Sequence, residues 1–173
     1  MPETSPYLVR KASDCDAARI AEIQVKTWQA AYRGLMPDAF LDGLDPLERA
    51  LVWKRIVAGP DGVVFLAQKD AHVVGFCDVL PSRDPAAPPE IAEIAAIYVE
   101  PCAWGSGAGR SLISAAIDHA RDHGFVMITL WVLATNERAK RFYAAAGFEP
   151  DGAEKTKERP GFTLHELRYR REV

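Results

Sequence analysis

Three glycines at alternate positions, Gly105, Gly107 and Gly109, follow an apolar run over residues 91–100 and open onto a helical pattern. Such a turn brings the backbone close to a ligand with no Cβ atom in the way. The helix behind it adds N–H groups without intrahelical acceptors and a positive dipole end. That combination suits a diphosphate, held by the main-chain N–H groups of Ser106, Gly107, Ala108, Gly109 and Arg110, with the Arg110 side chain as a further contact. A Walker loop would need a terminal Lys-Ser/Thr, which the chain lacks, so ATP and GTP are not expected. A dinucleotide fingerprint starting at Gly105 would place its third glycine where Arg110 stands, and the acidic residue expected about twenty positions on is missing around Met127 to Trp131. The same apolar run carries one carboxylate, Glu93. By alternation it shares a face with Ala95, Ile97 and Val99, and it must line a wet cleft or pair with a basic side chain.

A second motif, Asn136-x-x-Ala139-x-x-Phe142-Tyr143-x-x-x-Gly147-Phe148, follows the apolar segment 126–132. Asn136 is a good N-cap, and Ala139, Phe142, Tyr143 and Ala146 repeat with helical spacing. Gly147 is placed to end the helix in a left-handed conformation. Together, the strand, glycine loop and second helix resemble the acetyl-CoA site of the GNAT-type N-acetyltransferases. The family's loop signature, Arg/Gln-x-x-Gly-x-Gly/Ala, is matched by Trp104-Gly105-Ser106-Gly107-Ala108-Gly109, with Trp104 standing where a cation or amide is usual.

The resemblance implies transfer of an acetyl group from acetyl-CoA to a primary amine, of a small molecule or of a protein, by direct attack in a ternary complex. It also implies that the strands at 91–100 and 126–132 splay apart, the pantetheine arm lying between them against backbone groups of Ile97 and Val99. A glutamate at the spacing of Glu93 from Trp104 serves as general base in some members, alone or through water. Tyr143 takes the place of the acid that protonates the leaving thiolate: a phenol with a reference pKa of about 10 keeps its proton near neutrality. Asn136 would touch the acetyl or pantetheine region besides capping its helix. Relatives often dimerise, so a homodimer is compatible with the resemblance. A CoA-binding sensor without turnover is the alternative, and Glu93 and Tyr143 at the thioester argue against it.

The chain has 173 residues, 49% of them apolar, which suffices for one catalytic domain over 1–173. Three unpaired-looking cysteines, with no signal sequence and no long apolar run, make a reducing cytoplasm the expected location. The net charge of -3 offers no footprint for nucleic acid, nothing suggests a membrane, and no metal is expected because His119 and His123 lack a third ligand. Arg138 and Arg141 read as a solvated face.

The fold class expected is α/β: a mixed central sheet of about six to seven strands with helices on both faces. The elements begin with a strand at 7–12 and a helix from a Ser13-x-x-Asp16 cap to about Arg33. A second helix follows Asp45-Pro46, and a hairpin turns at Asp70-Ala71. A proline-rich loop over 81–89 precedes the two motifs, and strands at 148–156 and 162–170 close the chain. Trp28 and Tyr32, four apart on the first helix, are acceptor contacts or core.

Overall fold

The computed structural model describes residues 6–173. Seven strands form one sheet in the order β1-β2-β3-β4-β5-β7-β6, where β1 is Leu8–Lys11, β2 Val63–Lys69, β3 His72–Pro81, β4 Ile91–Val99, β5 Met127–Leu133, β6 Glu149–Arg159 and β7 Phe162–Glu172. Among the described residues one strand pair is parallel, β4–β5, joined by a helical crossover, and the other five pairs are antiparallel. The last strand, β7, inserts between β5 and β6.

Five helices cover the sheet: α1 Ala17–Ala31, α2 Asp38–Asp42, α3 Pro46–Ala58, α4 Ala108–Asp122 and α5 Glu137–Ala145. The Asp45 side chain caps α3 by accepting from the Leu47 N–H, with Pro46 in the first turn, as its sequence predicts. The short α2 was not expected. On one side of the sheet, Leu112, Ile113, Ala116 and Ile117 of α4 pack on Cys77, Val79, Ala92, Ile94 and Ile128. On the other, Ile20 and Ile23 of α1 and Trp53 of α3 pack on Val64, Leu66 and Phe76. Trp53 is held there by an indole N–H bond of 2.8 Å to Gln24.

Two features of β4 shape everything near the motifs. Its pairing with β5 covers only Ile91 to Ile94, opposite Met127 to Leu130, and then stops. Its pairing with β3 runs on, but slips: Val79 faces Ile94 while Asp78 faces Ala96, so Ala95 is an extra residue. The expected splay is therefore present and begins where the strand bulges.

α1 is bolted to the far end of β4. Arg19 pairs with the buried Glu100 at 2.8 Å and donates to the Val73 carbonyl, while the Thr27 hydroxyl donates to the Val99 carbonyl at 3.2 Å. These bonds fix the register of the helix that carries Trp28 and Tyr32.

Candidate active site

The glycine loop takes the form its residues dictate. Gly105 and Gly107 sit at φ 73° and 97°, a region that side chains with a Cβ rarely enter, and Gly107 caps α4 from the left-handed conformation. A Cβ on Gly109 would come within 3.1 Å of the Phe142 ring, so this glycine lets α5 lie against the start of α4. The first intrahelical bond comes from the Ser111 N–H to Gly107. The N–H groups of Ala108, Gly109 and Arg110 thus have no intrahelical acceptor. Ser106 differs from expectation: its N–H donates to the Ala103 carbonyl at 3.3 Å, and its hydroxyl accepts from Tyr7. The cradle accordingly narrows to Gly107 through Arg110.

Trp104 does not turn a polar group outward. Its indole N–H donates to the Val99 carbonyl at 2.6 Å, and the Arg138 guanidinium lies over its ring, 3.3 Å from the centroid. Desolvation by this stacking lowers the pKa of Arg138, though a guanidinium stays charged at neutral pH. α5 thus sets a cation beside the loop, resting on an aromatic platform. Arg138, read from sequence as part of a solvated face, is instead stacked on Trp104; helical spacing alone gave no sign of the stack.

The Glu100 N–H bonds to Val74 on β3, so by alternation the main-chain groups of Ile97 and Val99 point away from β3, into the gap beside β5. The Val99 carbonyl is nevertheless spoken for, accepting from both Trp104 and Thr27. Its N–H and the two groups of Ile97 are the ones directed into the gap.

Glu93 is the chief correction. The extra residue at Ala95 inverts the alternation, so Glu93 does not share a face with Ile97 and Val99, which pack with α4. It lies instead on the side of Ala96 and Tyr98, toward α1. Its carboxylate, only 4% exposed with its residue, accepts from the Arg83 guanidinium at 2.7 and 3.3 Å and from the Arg83 main-chain N–H at 2.9 Å. The proline-rich loop thus folds back onto Glu93. The same loop is pinned by Asp84, which accepts from the Trp131 indole at 2.9 Å and from Arg168 at 3.0 Å.

Asn136 caps α5, accepting from the Ala139 N–H at 3.1 Å, and Gly147, at φ 84°, ends the helix. This orients Phe142 and Tyr143 toward the sheet, where both pack on the α4-side core. Tyr143 interacts across the gap with Tyr98 and Cys77, and burial, aided by these neighbours, pushes its phenol far above the usual range. Tyr32 and Tyr98 interact through their hydroxyls, and both are also shifted upward, mainly by burial. Trp28 packs edge-on against Tyr32 at 5.2 Å and against Tyr98 at 6.1 Å. Its buried indole N–H has no acceptor of good geometry among the described residues. Trp28 and Tyr32 are therefore both packed and adjacent to the gap. With Phe40 and Phe162 they form an aromatic wall on the side opposite α4.

An anion cradle, an opened parallel strand pair and a protonated phenol between them define the class of the CoA-dependent acyltransferases. Residues 19–148 match the model of the acetyltransferase (GNAT) family, and the chain belongs to that family. A mycothiol acetyltransferase of Sanguibacter keddieii is 38% identical over 88 residues, half of this chain but 28% of that protein. An uncharacterised N-acetyltransferase of Bacillus subtilis, YuaI, is 32% identical over 74% of this chain and 72% of its own length. In fold, the chain resembles a PaiA N-acetyltransferase of Thermoplasma acidophilum solved with coenzyme A, with a TM-score of 0.72 and 17% identity over 96% of this chain and 99% of that one. The ribosomal-protein-alanine N-acetyltransferase of Brucella melitensis gives 0.73 and 24%, with the same coverage. Among the described residues no helix is long and apolar enough to cross a membrane.

Proposed function

We propose that the chain transfers an acetyl group from acetyl-CoA to a primary amine by direct attack in a ternary complex. The observation that carries this reading is the early end of the β4–β5 pairing at Ile94, together with the left-handed glycine start of α4 and the packing of Tyr143 of α5 on the α4-side core. The Gly107 to Arg110 N–H groups would take the diphosphate, with Arg138 on Trp104 beside it. The pantetheine amides would bond the free groups of Ile97 and Val99, extending β4 as an absent strand would. Asn136, at the head of α5, would stand near the same arm.

The amine would arrive from the opposite side, between the Trp28–Tyr32 wall and the loop tied down by Arg83 and Asp84. Burial keeps the Tyr143 phenol protonated as a donor for the departing sulfur, and because it also makes that transfer uphill, close positioning at the sulfur would have to drive it. The aromatic wall supports a small or terminal amine on an apolar stem. Free thiol release from acetyl-CoA, followed across a panel of arylalkylamines, polyamines and peptides with free N-termini, tests the reading. Acceptor-dependent release is expected; tight CoA binding with no release across the panel would overturn it.

A further inference from the structure

Four acidic residues are buried among the described residues: Asp16, Asp78, Glu93 and Glu100. Three of them are matched to cations. Asp16 receives two bonds from Arg10, Glu93 is clasped by Arg83, and Glu100 sits between Arg19 and Lys26. Asp78 is 7% exposed, and burial and the nearby charges of Arg83 and Glu93 act on it without a hydrogen bond from any described residue. Its oxygens are not sealed from solvent, so water reaches a carboxylate of low exposure that draws no donor from the described residues, and its partial desolvation costs folding free energy.

Its position is specific. Asp78 stands opposite Ala96, the residue just past the bulge, where β4 has parted from β5. Cross-strand partners share a face, so its side chain lies on the side of Ala96, Tyr98 and Glu93, the side from which the amine would come. One strand spacing, about 4.8 Å, separates β3 from the strand that would hold the thioester, a distance spanned by a single water.

Resting on the acetyl-transfer reading above, we infer that Asp78, not Glu93, is the proton acceptor for the incoming amine, and that Glu93 acts by holding Arg83 and its loop in place. Asp78 takes one proton from the attacking ammonium through water. The freed nitrogen lone pair forms the C–N bond, and the C–S bond breaks with its electron pair on sulfur. Tyr143 gives its proton to that sulfur and regains one from the nitrogen as the amide forms. Asp78 then returns its proton to solvent.

The electrostatics agree. Burial raises the Asp78 carboxyl to about 6, Glu93 adding to the rise and Arg83 opposing it. On that side of the sheet α1 and α3 contribute the apolar core residues Ile20, Ile23 and Trp53. A base in this range is ionised at neutral pH yet close enough to it to exchange protons readily.

Two measurements test the inference. In the CoA-bound protein, carbon-13 labelling of aspartate should give an Asp78 carboxyl titrating near pH 6; a carboxyl that stays ionised to pH 4 would overturn the assignment. With 2-phenylethylamine as probe, or whichever amine of the panel turns over, Asp78→Asn should lower kcat/KM about 100-fold at pH 7 and abolish the acid limb of the profile, with CoA affinity unchanged. Glu93→Gln should keep that limb. If Asp78→Asn retains both limb and rate while the unaltered protein turns over, Asp78 is not the base. If the unaltered protein turns over nothing, the acetyl-transfer reading fails, and the carboxyl titration alone decides the proton acceptor's suitability.

Discussion

The two halves of β4 contrast sharply. From Ile91 to Ile94 the strand is flanked on both sides, and its one charge, Glu93, is neutralised by three bonds from Arg83. From Ala96 to Val99 it has lost β5, and the residues around it are a bare carboxylate, three interacting tyrosines and main-chain groups directed into a gap. Closed sheet satisfies its polar groups from within; open sheet leaves them for a ligand. Glu93 and Asp78, acids with side chains on the same face, fall on opposite sides of that line.

The largest effect should come from the open half. Tyr143→Phe is expected to lower kcat about 100-fold or more while leaving the KM for acetyl-CoA within a few-fold, read by steady-state thiol release. An unchanged kcat with chemistry rate-limiting would remove the proton donor from that half.

Next in size is the bare carboxylate's effect on stability. An acid whose folded pKa is raised binds protons more tightly in the folded state, so stability falls as pH rises from about 4 to about 6. The penalty is present in full above that range and absent below it. Asp78→Asn should therefore gain stability relative to the parent by up to about 3 kcal/mol at pH 7.5, and the gain should vanish near pH 4, as measured by denaturant melts at both values.

The closed half predicts the reverse behaviour. Arg83→Ala strands a buried charge and should destabilise by about 2 kcal/mol, a figure reduced because the Arg83 side chain is 60% exposed, and thermal melting would register it. Equal stability would mean that Glu93 is as bare as Asp78. The smallest effect concerns the stacked cation: Arg138→Ala should raise the KM for acetyl-CoA about fivefold with kcat preserved, consistent with about 1 kcal/mol for such a contact.

Much of this was legible in the chain. The glycine spacing predicted the tight turn that opens α4, Asn136 and Gly147 bounded α5 where the structure bounds it, and the hairpin turns at Asp70-Ala71. The splay followed from family resemblance, not periodicity. Strand alternation failed at Glu93, because one inserted residue inverts every side chain on one side of it, and no local signal marks Ala95 as a bulge. Asp78 was within reach: an acid between Cys77 and Val79 in an apolar strand is the same signal that singled out Glu93. The Arg138 stack depends on how α5 docks against the loop, a tertiary contact that helical spacing does not encode. Likewise, the Val99 carbonyl was expected to be free, and only the fold brings Trp104 and Thr27 to it.

That single oxygen joins what would otherwise be separate walls. Thr27 belongs to the helix beside the amine's approach, Trp104 to the bend where the nucleotide would rest, and both hang from one peptide unit. The two walls are thus anchored to each other through the length of one residue.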